Sequence, residues 1–94
     1  GDFYRTDSFL FEGRIGQQIR ILVPESSFDP VLYLLGPTGA LLNFNDDFEG
    51  SKQPVIERTL TANGIFRVEL TSFAPFVTGP YKLQVNGCST WANR

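Results

Sequence analysis

The side chains best suited to chemistry in this sequence carry oxygen and fall in two predicted loops. They are Asp29, Asn45, Asp46 and Asp47. A hairpin formed by residues 31–35 and 40–45 would bring both loops to the same end of the fold, with Glu49 nearby. Ca²⁺ takes roughly six to eight oxygen ligands in flexible geometry. We therefore predict Ca²⁺ as a candidate cofactor, held by these four residues.

The same residues also have an interpretation that needs no metal. Asp and Asn are favoured in turns because their side chains accept hydrogen bonds from nearby backbone N–H groups. Asp29 before Pro30 and the corner at 45–47 fit that structural role, so both interpretations stay open. Paired carboxylates can also perform glycosidase-type acid–base catalysis. That third interpretation is disfavoured, because the sequence indicates no cleft around them.

Aromatic residues outside the predicted core form a second candidate site. Phe73 and Phe76 lie in the loop 72–77, and Tyr33 and Phe44 lie on or beside the central hairpin. An exposed cluster of rings would recognise protein or polysaccharide. Alternatively, the loop folds back and plugs the end of the fold, because apolar loop residues are often buried. We predict that Tyr33, Phe73 and Phe76 bind a ligand.

Composition excludes several classes of function. The chain has 94 residues, which is enough for one domain with one core. It contains no His and one Cys, so it can form neither an imidazole-activated nucleophile nor a zinc site of His and several Cys. The net charge of −2 is unfavourable for binding a phosphate backbone, and no apolar stretch approaches the length of a membrane span. We therefore expect no enzymatic activity, no nucleic-acid partner and no membrane partner.

Apolar and polar residues alternate at period two in three segments, which predicts strands with one buried face. The segments are 17–23, 65–71 and 80–86. Their predicted inward residues are Ile19, Ile21, Val23, Phe66, Val68, Leu70, Tyr81, Leu83 and Val85. Four further strands are predicted at 6–11, 31–35, 40–45 and 55–61. The continuous apolar run at 31–35 is expected of a strand covered on both sides.

Turn residues separate these strands at intervals that predict an all-β fold. The connection at 37–39 indicates a tight hairpin, and Asn63-Gly64 supplies a backbone conformation of positive φ. Seven to eight short strands in this pattern are typical of an antiparallel β-sandwich or jelly roll. We predict a domain over residues 1–87 and a tail or the start of a linker over 88–94.

Two residues of the predicted tail are chemically distinctive. Trp91 is expected to pack against the sandwich or a neighbouring domain. Cys88, the single cysteine, is either a small buried hydrophobe or the disulfide partner of a cysteine outside this chain.

The charged residues of the predicted strands have structural interpretations. Arg58 and Arg67 are expected to form cross-strand pairs with carboxylates on solvent-facing surfaces. Asp7 is expected to form a hydrogen bond with a neighbouring loop.

A succession of short motifs spans most of the chain. The motifs occupy residues 7–11, 16–19, 27–34, 37–39, 45–47, 63–68 and 79–85. Their order and spacing resemble the bacterial pre-peptidase C-terminal domain, which is related to the collagen-binding domains of clostridial collagenases. The chain departs from that pattern at Gly64-Ile65-Phe66, where family members usually carry Tyr after Gly-Thr or Gly-Ser. Phe66 can fill the same core volume.

The resemblance implies a non-catalytic jelly-roll domain at the end of a secreted bacterial hydrolase, especially a metallo- or serine peptidase. Such a domain would aid secretion, stability or substrate attachment, in a secreted, extracellular or periplasmic setting. Its expected partners are the catalytic domain of the parent protein and an extracellular protein or glycan polymer. The alternative is a calcium-stabilised adhesion module that binds collagen-like protein or polysaccharide. Some collagen-binding relatives bind calcium, largely through an acidic N-terminal segment.

Overall fold

The computed structural model describes residues 6–45, 54–72 and 79–93, and eight strands form within them. The strands are β1 (Asp7–Gly13), β2 (Gln18–Ser26), β3 (Pro30–Leu35), β4 (Leu41–Asn45), β5 (Val55–Thr59), β6 (Gly64–Ser72), β7 (Pro80–Val85) and β8 (Cys88–Asn93). The prediction of an all-β sandwich of seven to eight strands is confirmed. The described residues contain no helix that is long and apolar enough to cross a membrane.

The strands form two antiparallel sheets of four strands each. In the first sheet the order is β1-β6-β3-β4, and in the second it is β5-β2-β7-β8. Among the strands of the described residues, only β3 with β4 and β7 with β8 are consecutive strands that pair within a sheet. The other connections pass from one sheet to the other, so neighbouring strands come from distant parts of the sequence.

The core lies between the sheets, where alternate side chains of each strand meet. The predicted inward residues of β2, β6 and β7 are buried, with the exception of Val85, which is only partly buried. Leu32 and Leu34 from β3, Ile56 from β5 and Leu60 complete this cluster. The strand assignments made from alternation are therefore confirmed, because period-two spacing places one set of residues on one face.

The hairpin between β3 and β4 closes as the sequence predicts. The Gly39 N–H donates to the Gly36 carbonyl at 2.9 Å, and the Gly36 N–H donates to the Ala40 carbonyl at 2.9 Å. Gly39 has a φ of 87°, a left-handed conformation that suits glycine. The register shifts once beyond this turn, at Leu34/Leu35, and then places Tyr33 opposite Phe44.

The segment 88–94 differs from the predicted tail, because Cys88–Asn93 forms β8 and pairs with β7 along its length. The two-residue turn Asn86-Gly87 makes this hairpin, with φ values of 51° and 85°. Two consecutive residues of positive φ match the twist of antiparallel strands, and Asn-Gly is a favoured sequence for such a turn. The prediction assigned Asn86 to the preceding strand and so did not use this turn signal.

A partly buried hydrogen bond links the two sheets near one end. The Tyr81 hydroxyl of β7 donates to Asp7 Oδ2 of β1 at 2.6 Å. The rings of Phe9 and Phe28 stand nearly perpendicular to the Tyr81 ring, at centroid distances of 6.5 and 5.7 Å. Asp7 was expected to bond a loop, and the structure instead shows that its partner is a side chain of the opposite sheet.

A second polar link joins the sheets at the β4–β5 edge. The Arg58 guanidinium donates from Nη1 to the Leu42 carbonyl at 3.0 Å and to Asn43 Oδ1 at 2.9 Å. The prediction of a solvent-facing charge pair for Arg58 is therefore wrong. Arg58 lies on the same face of β5 as the buried Ile56, so its side chain extends toward the opposite sheet instead of outward.

Candidate functional site

The loops proposed to bind Ca²⁺ do begin at the same end of the first sheet. Asp29 is half-buried and directly precedes β3, while Asn45 ends β4 opposite Leu32. Asp46, Asp47 and Glu49 lie outside the described residues. Within the described part of the chain, no group of three or more Asp, Glu, His or Cys side chains could hold a metal ion. The calcium site stays a prediction.

The turn that leads to Asp29 is shaped by serine hydroxyls. Ser26 Oγ donates to the Phe28 carbonyl at 2.8 Å and accepts from the Phe28 N–H at 3.2 Å. Ser27 Oγ donates to the Pro80 carbonyl at 3.1 Å, which joins this turn to the start of β7. These bonds are those of a structural turn, in which short polar side chains satisfy nearby backbone groups.

Of the three residues predicted to bind a ligand, the structure describes Tyr33. Its side chain lies on the outer face of the first sheet and is half-buried. The Tyr33 ring contacts the ring of Phe44 on β4, with centroids 5.3 Å apart. Phe44 is 55% exposed. Phe73 and Phe76 lie outside the described residues, so their binding role stays a prediction.

Tyr33 belongs to a larger apolar surface on the outside of the first sheet, which we call the apolar face. It consists of Leu10, Tyr33, Leu35, Leu41, Phe44 and Ile65. The register aligns Leu10, Arg67, Leu35 and Leu41 in one row across all four strands. Residues directly opposite each other in antiparallel strands point to the same side of the sheet. Side chains that are far apart in sequence therefore share one surface.

The charged groups of this surface come mostly from β6. Arg67 separates Leu10 from Leu35, and Glu69 lies in the neighbouring row between Ser8 and Tyr33. Ser8 Oγ lies 3.5 Å from Glu69 Oε2. The two opposite charges leave the centre of the apolar face close to neutral.

Sequence reasoning missed four members of the apolar face. They are Leu10, Leu35, Leu41 and Ile65. A signal was present in consecutive apolar residues, such as Phe9-Leu10-Phe11 and Ile65-Phe66, because a run of this kind places apolar side chains on both sides of a strand.

The prediction that β3 is covered on both sides holds only at its start. On the outer side of this strand Val31 is 5% exposed, while Tyr33 and Leu35 are half-buried.

The outside of the second sheet, which we call the polar face, has a different composition. Its exposed residues include Gln18, Arg20, Glu25, Glu57, Thr59 and Trp91. Glu25, Lys82 and Trp91 lie in one row across three strands. Lys82 Nζ is 3.8 Å from Glu25 Oε2 and 5.7 Å from the centroid of the Trp91 ring. Trp91 was expected to be packed, and in this chain it is 61% exposed.

Compared with known protein families, with curated proteins and with solved structures, the chain shows no match. The resemblance to the pre-peptidase C-terminal domain therefore depends on the sequence motifs alone. What the structure adds is the β-sandwich itself and the arrangement of residues on its two outer faces.

Proposed function

We propose that this chain is a non-catalytic accessory domain of a secreted bacterial hydrolase, with a peptidase as the expected parent. Its apolar face holds it against the catalytic domain of that protein, which aids stability, secretion or substrate attachment. The proposed setting is outside the cytoplasm, in the extracellular or periplasmic space. The family resemblance supports the parent class, and the outer surface of the first sheet supports the mode of action.

The observation that carries the proposal is the grouping of exposed apolar side chains on one sheet face. Leu10, Leu41, Phe44 and Ile65 are 70, 58, 55 and 52% exposed. Single exposed hydrophobic residues are ordinary, whereas several on one surface mark an interaction site. Burying apolar surface contributes about 25 cal/mol per Å², so such a face gains free energy only when another surface covers it.

The chemistry of the apolar face favours a protein partner. Three of its most exposed members are the aliphatic residues Leu10, Leu41 and Ile65, which pack against other aliphatic side chains. Sugar rings stack on aromatic faces, and this surface offers aromatic rings only at Tyr33 and Phe44. The absence of His from the sequence supports a role without imidazole-based catalysis.

The test uses the catalytic domain encoded in the same reading frame, added to this chain in solution. The variant Leu41→Ser/Ile65→Ser should weaken the association at least tenfold, since central apolar contacts contribute about 2 kcal/mol each. Trp91→Ser on the polar face is the matched control and should leave binding unchanged. Isothermal titration calorimetry measures both. A reading frame without a hydrolase, or a loss of binding in Trp91→Ser alone, would contradict the proposal.

One observation favours a second candidate function, attachment to an extracellular polymer. The Tyr33 and Phe44 rings contact each other in register on adjacent strands and form a continuous aromatic surface. Sedimentation with fibrillar collagen and with insoluble polysaccharides tests it, using Phe44→Ala against the aliphatic control Leu41→Ala. Loss of polymer binding in Phe44→Ala alone favours attachment through the rings.

The calcium-stabilised form of this second function has its own test. Ca²⁺ at 100 times its dissociation constant would stabilise a calcium-binding form by about 2.7 kcal/mol, which thermal melting detects.

A further inference from the structure

The outer edge of β1 is a regular strand edge. All seven residues of β1 pair with β6 in an unbroken register, from Asp7 opposite Leu70 to Gly13 opposite Gly64. Among the described residues, β6 is the only strand that pairs with β1. The backbone N–H and C=O groups that point away from β6 therefore form an edge to which another strand can add.

The other edge strands carry features that oppose strand addition. Natural edges are protected by shortness, by bulges and by charged side chains that point inward. β4 has five residues and a register shift at Leu34/Leu35. β5 also has five residues, and its Arg58 extends inward to the opposite sheet. β1 is longer, has no register shift and contains neither Pro nor Lys. Its one inward-pointing charge, Asp7, lies at the very start of the strand and is bonded to Tyr81.

The sequence of β1 is close to a palindrome centred on Leu10. Phe9 and Phe11 flank Leu10 and point to the core, while Ser8 and Glu12 point outward with it. If a second copy pairs antiparallel about Leu10, each Phe9 lies opposite the partner's Phe11 and each Glu12 lies opposite the partner's Ser8. Apolar residues then face apolar residues on the inner side, and carboxylates face hydroxyls on the outer side.

The same self-pairing fails for β8, the remaining edge strand. Its sequence is Cys-Ser-Thr-Trp-Ala-Asn. Centring a second copy on Thr90 would place Ser89 opposite the partner's Trp91, and centring it on Trp91 would place Thr90 opposite the partner's Ala92. Both arrangements pair polar with apolar residues. Of these two edge strands, β1 is therefore the self-complementary one.

We infer that two copies of this chain associate through β1, antiparallel and centred on Leu10, so that the two first sheets become one continuous sheet. This pairing gives a role to Leu10, which at 70% is the most exposed large hydrophobic residue in the described part of the chain. Its side chain would lie against the partner's Leu10. The two Glu12 carboxylates would lie about 14 Å apart along the strands, because each residue advances the strand by about 3.4 Å. They would not repel each other strongly.

The association joins the two apolar faces through the pair of Leu10 side chains. It does not depend on the proposed accessory role, since an edge strand can pair whether or not the apolar face has another partner. A symmetric pairing of this type is isologous and closes at two copies, because each copy uses the same edge.

Register-specific disulfide formation tests the arrangement. In a Cys88→Ser background, Leu10→Cys places one thiol opposite its own copy, at a Cα separation of about 4.5–5.5 Å that a disulfide can span. Mild oxidation should give a covalent dimer on non-reducing gels. Ser8→Cys alone should not cross-link, whereas Ser8→Cys/Glu12→Cys should. Leu41→Cys, at 58% exposure on the opposite edge strand, is the matched control and should form no covalent dimer.

Analytical ultracentrifugation of the 94-residue chain gives an independent measurement. The wild-type chain should show a reversible monomer–dimer equilibrium. Leu10→Lys should weaken the dimer at least tenfold, because like charges directly opposite each other destabilise strand pairing. Leu41→Lys should leave it intact. A chain that is monomeric at its highest soluble concentration would overturn the inference, as would cross-linking by Ser8→Cys alone or a loss of the dimer only in Leu41→Lys.

Discussion

The outer faces of the two sheets follow the same strand geometry and differ in chemistry. On the apolar face, Leu10, Leu41, Phe44 and Ile65 are more than half exposed, and Arg67 is the only cation in the row that crosses the sheet. On the polar face, exposed carboxylates, amides and cations surround a single large ring, Trp91.

This difference shows that exposure alone does not identify an interaction surface. Trp91 is more exposed than Phe44, but it lies beside the ammonium group of Lys82, which in turn contacts Glu25. An isolated ring in contact with ions is already well solvated. Several apolar side chains grouped on one face of a sheet are poorly solvated, so the apolar face gains more from being covered.

The largest effect on stability is expected when substitutions on the two sides of β6 are compared. Phe66 is buried and stacks on Phe11 at 5.5 Å, whereas the adjacent Ile65 is 52% exposed on the apolar face. Phe66→Ala should lower the free energy of unfolding by about 3–5 kcal/mol. Ile65→Ala should lower it by about 1 kcal/mol or less. Urea denaturation of the isolated chain measures both, with Phe66→Leu as a milder variant if the alanine variant does not fold. An equal loss at Ile65 would mean that the apolar face already packs within the monomer.

An intermediate effect is expected where the sheets are joined. Tyr81→Phe removes the hydroxyl that donates to Asp7, and a hydrogen bond to a carboxylate contributes about 1.5–3 kcal/mol. Tyr33→Phe removes the same atom from the apolar face and should change stability by about 0.5 kcal/mol or less. Thermal and urea unfolding can separate the two variants. Equal values would contradict the distinction between a partly buried link that joins the two sheets and an outer surface.

The smallest effect is expected on the polar face. Glu25→Gln should lower the free energy of unfolding by about 0.5 kcal/mol or less, because exposed ion pairs are weak. In this pair the Lys82 side chain is 28% exposed and the Glu25 side chain is 59% exposed.

The same face offers a fluorescence measurement. Lys82→Ala should alter the fluorescence of Trp91, the only tryptophan in the chain, by removing the ammonium group above its ring. A partner that covers the apolar face should leave this fluorescence unchanged. A large spectral change on partner binding would instead place the contact on the polar face.

Most of the fold could be predicted because alternation reports burial directly. Ile19, Ile21 and Val23 repeat every second residue, and only a strand places all three on one face. The last strand was missed for a local reason: Asn86, the first residue of the Asn86-Gly87 turn, was assigned to the preceding strand. The orientation of Arg58 was also wrong, since an arginine with a long apolar stem can cross a sheet edge while its guanidinium bonds to carbonyl groups.

The candidate site could be predicted only in part. Tyr33 was identified and does lie on an outer surface beside Phe44. Its aliphatic neighbours were not, because a leucine in a strand pattern is first assigned to the core. The acidic loop of Asp46 and Asp47 and the aromatic loop of Phe73 and Phe76 lie outside the described residues, so those predictions stay as the sequence made them.

The sequence by itself determined that the chain forms strands, which residues of β2, β6 and β7 face the core, and that catalysis by histidine is excluded. Only the tertiary structure decided which strands are neighbours, and therefore which exposed side chains form a surface. The reason is that alternation distinguishes two sides of a strand and carries no information about strand order. Leu10 and Arg67 lie far apart in the chain, and they became neighbours on one face only when β6 inserted between β1 and β3.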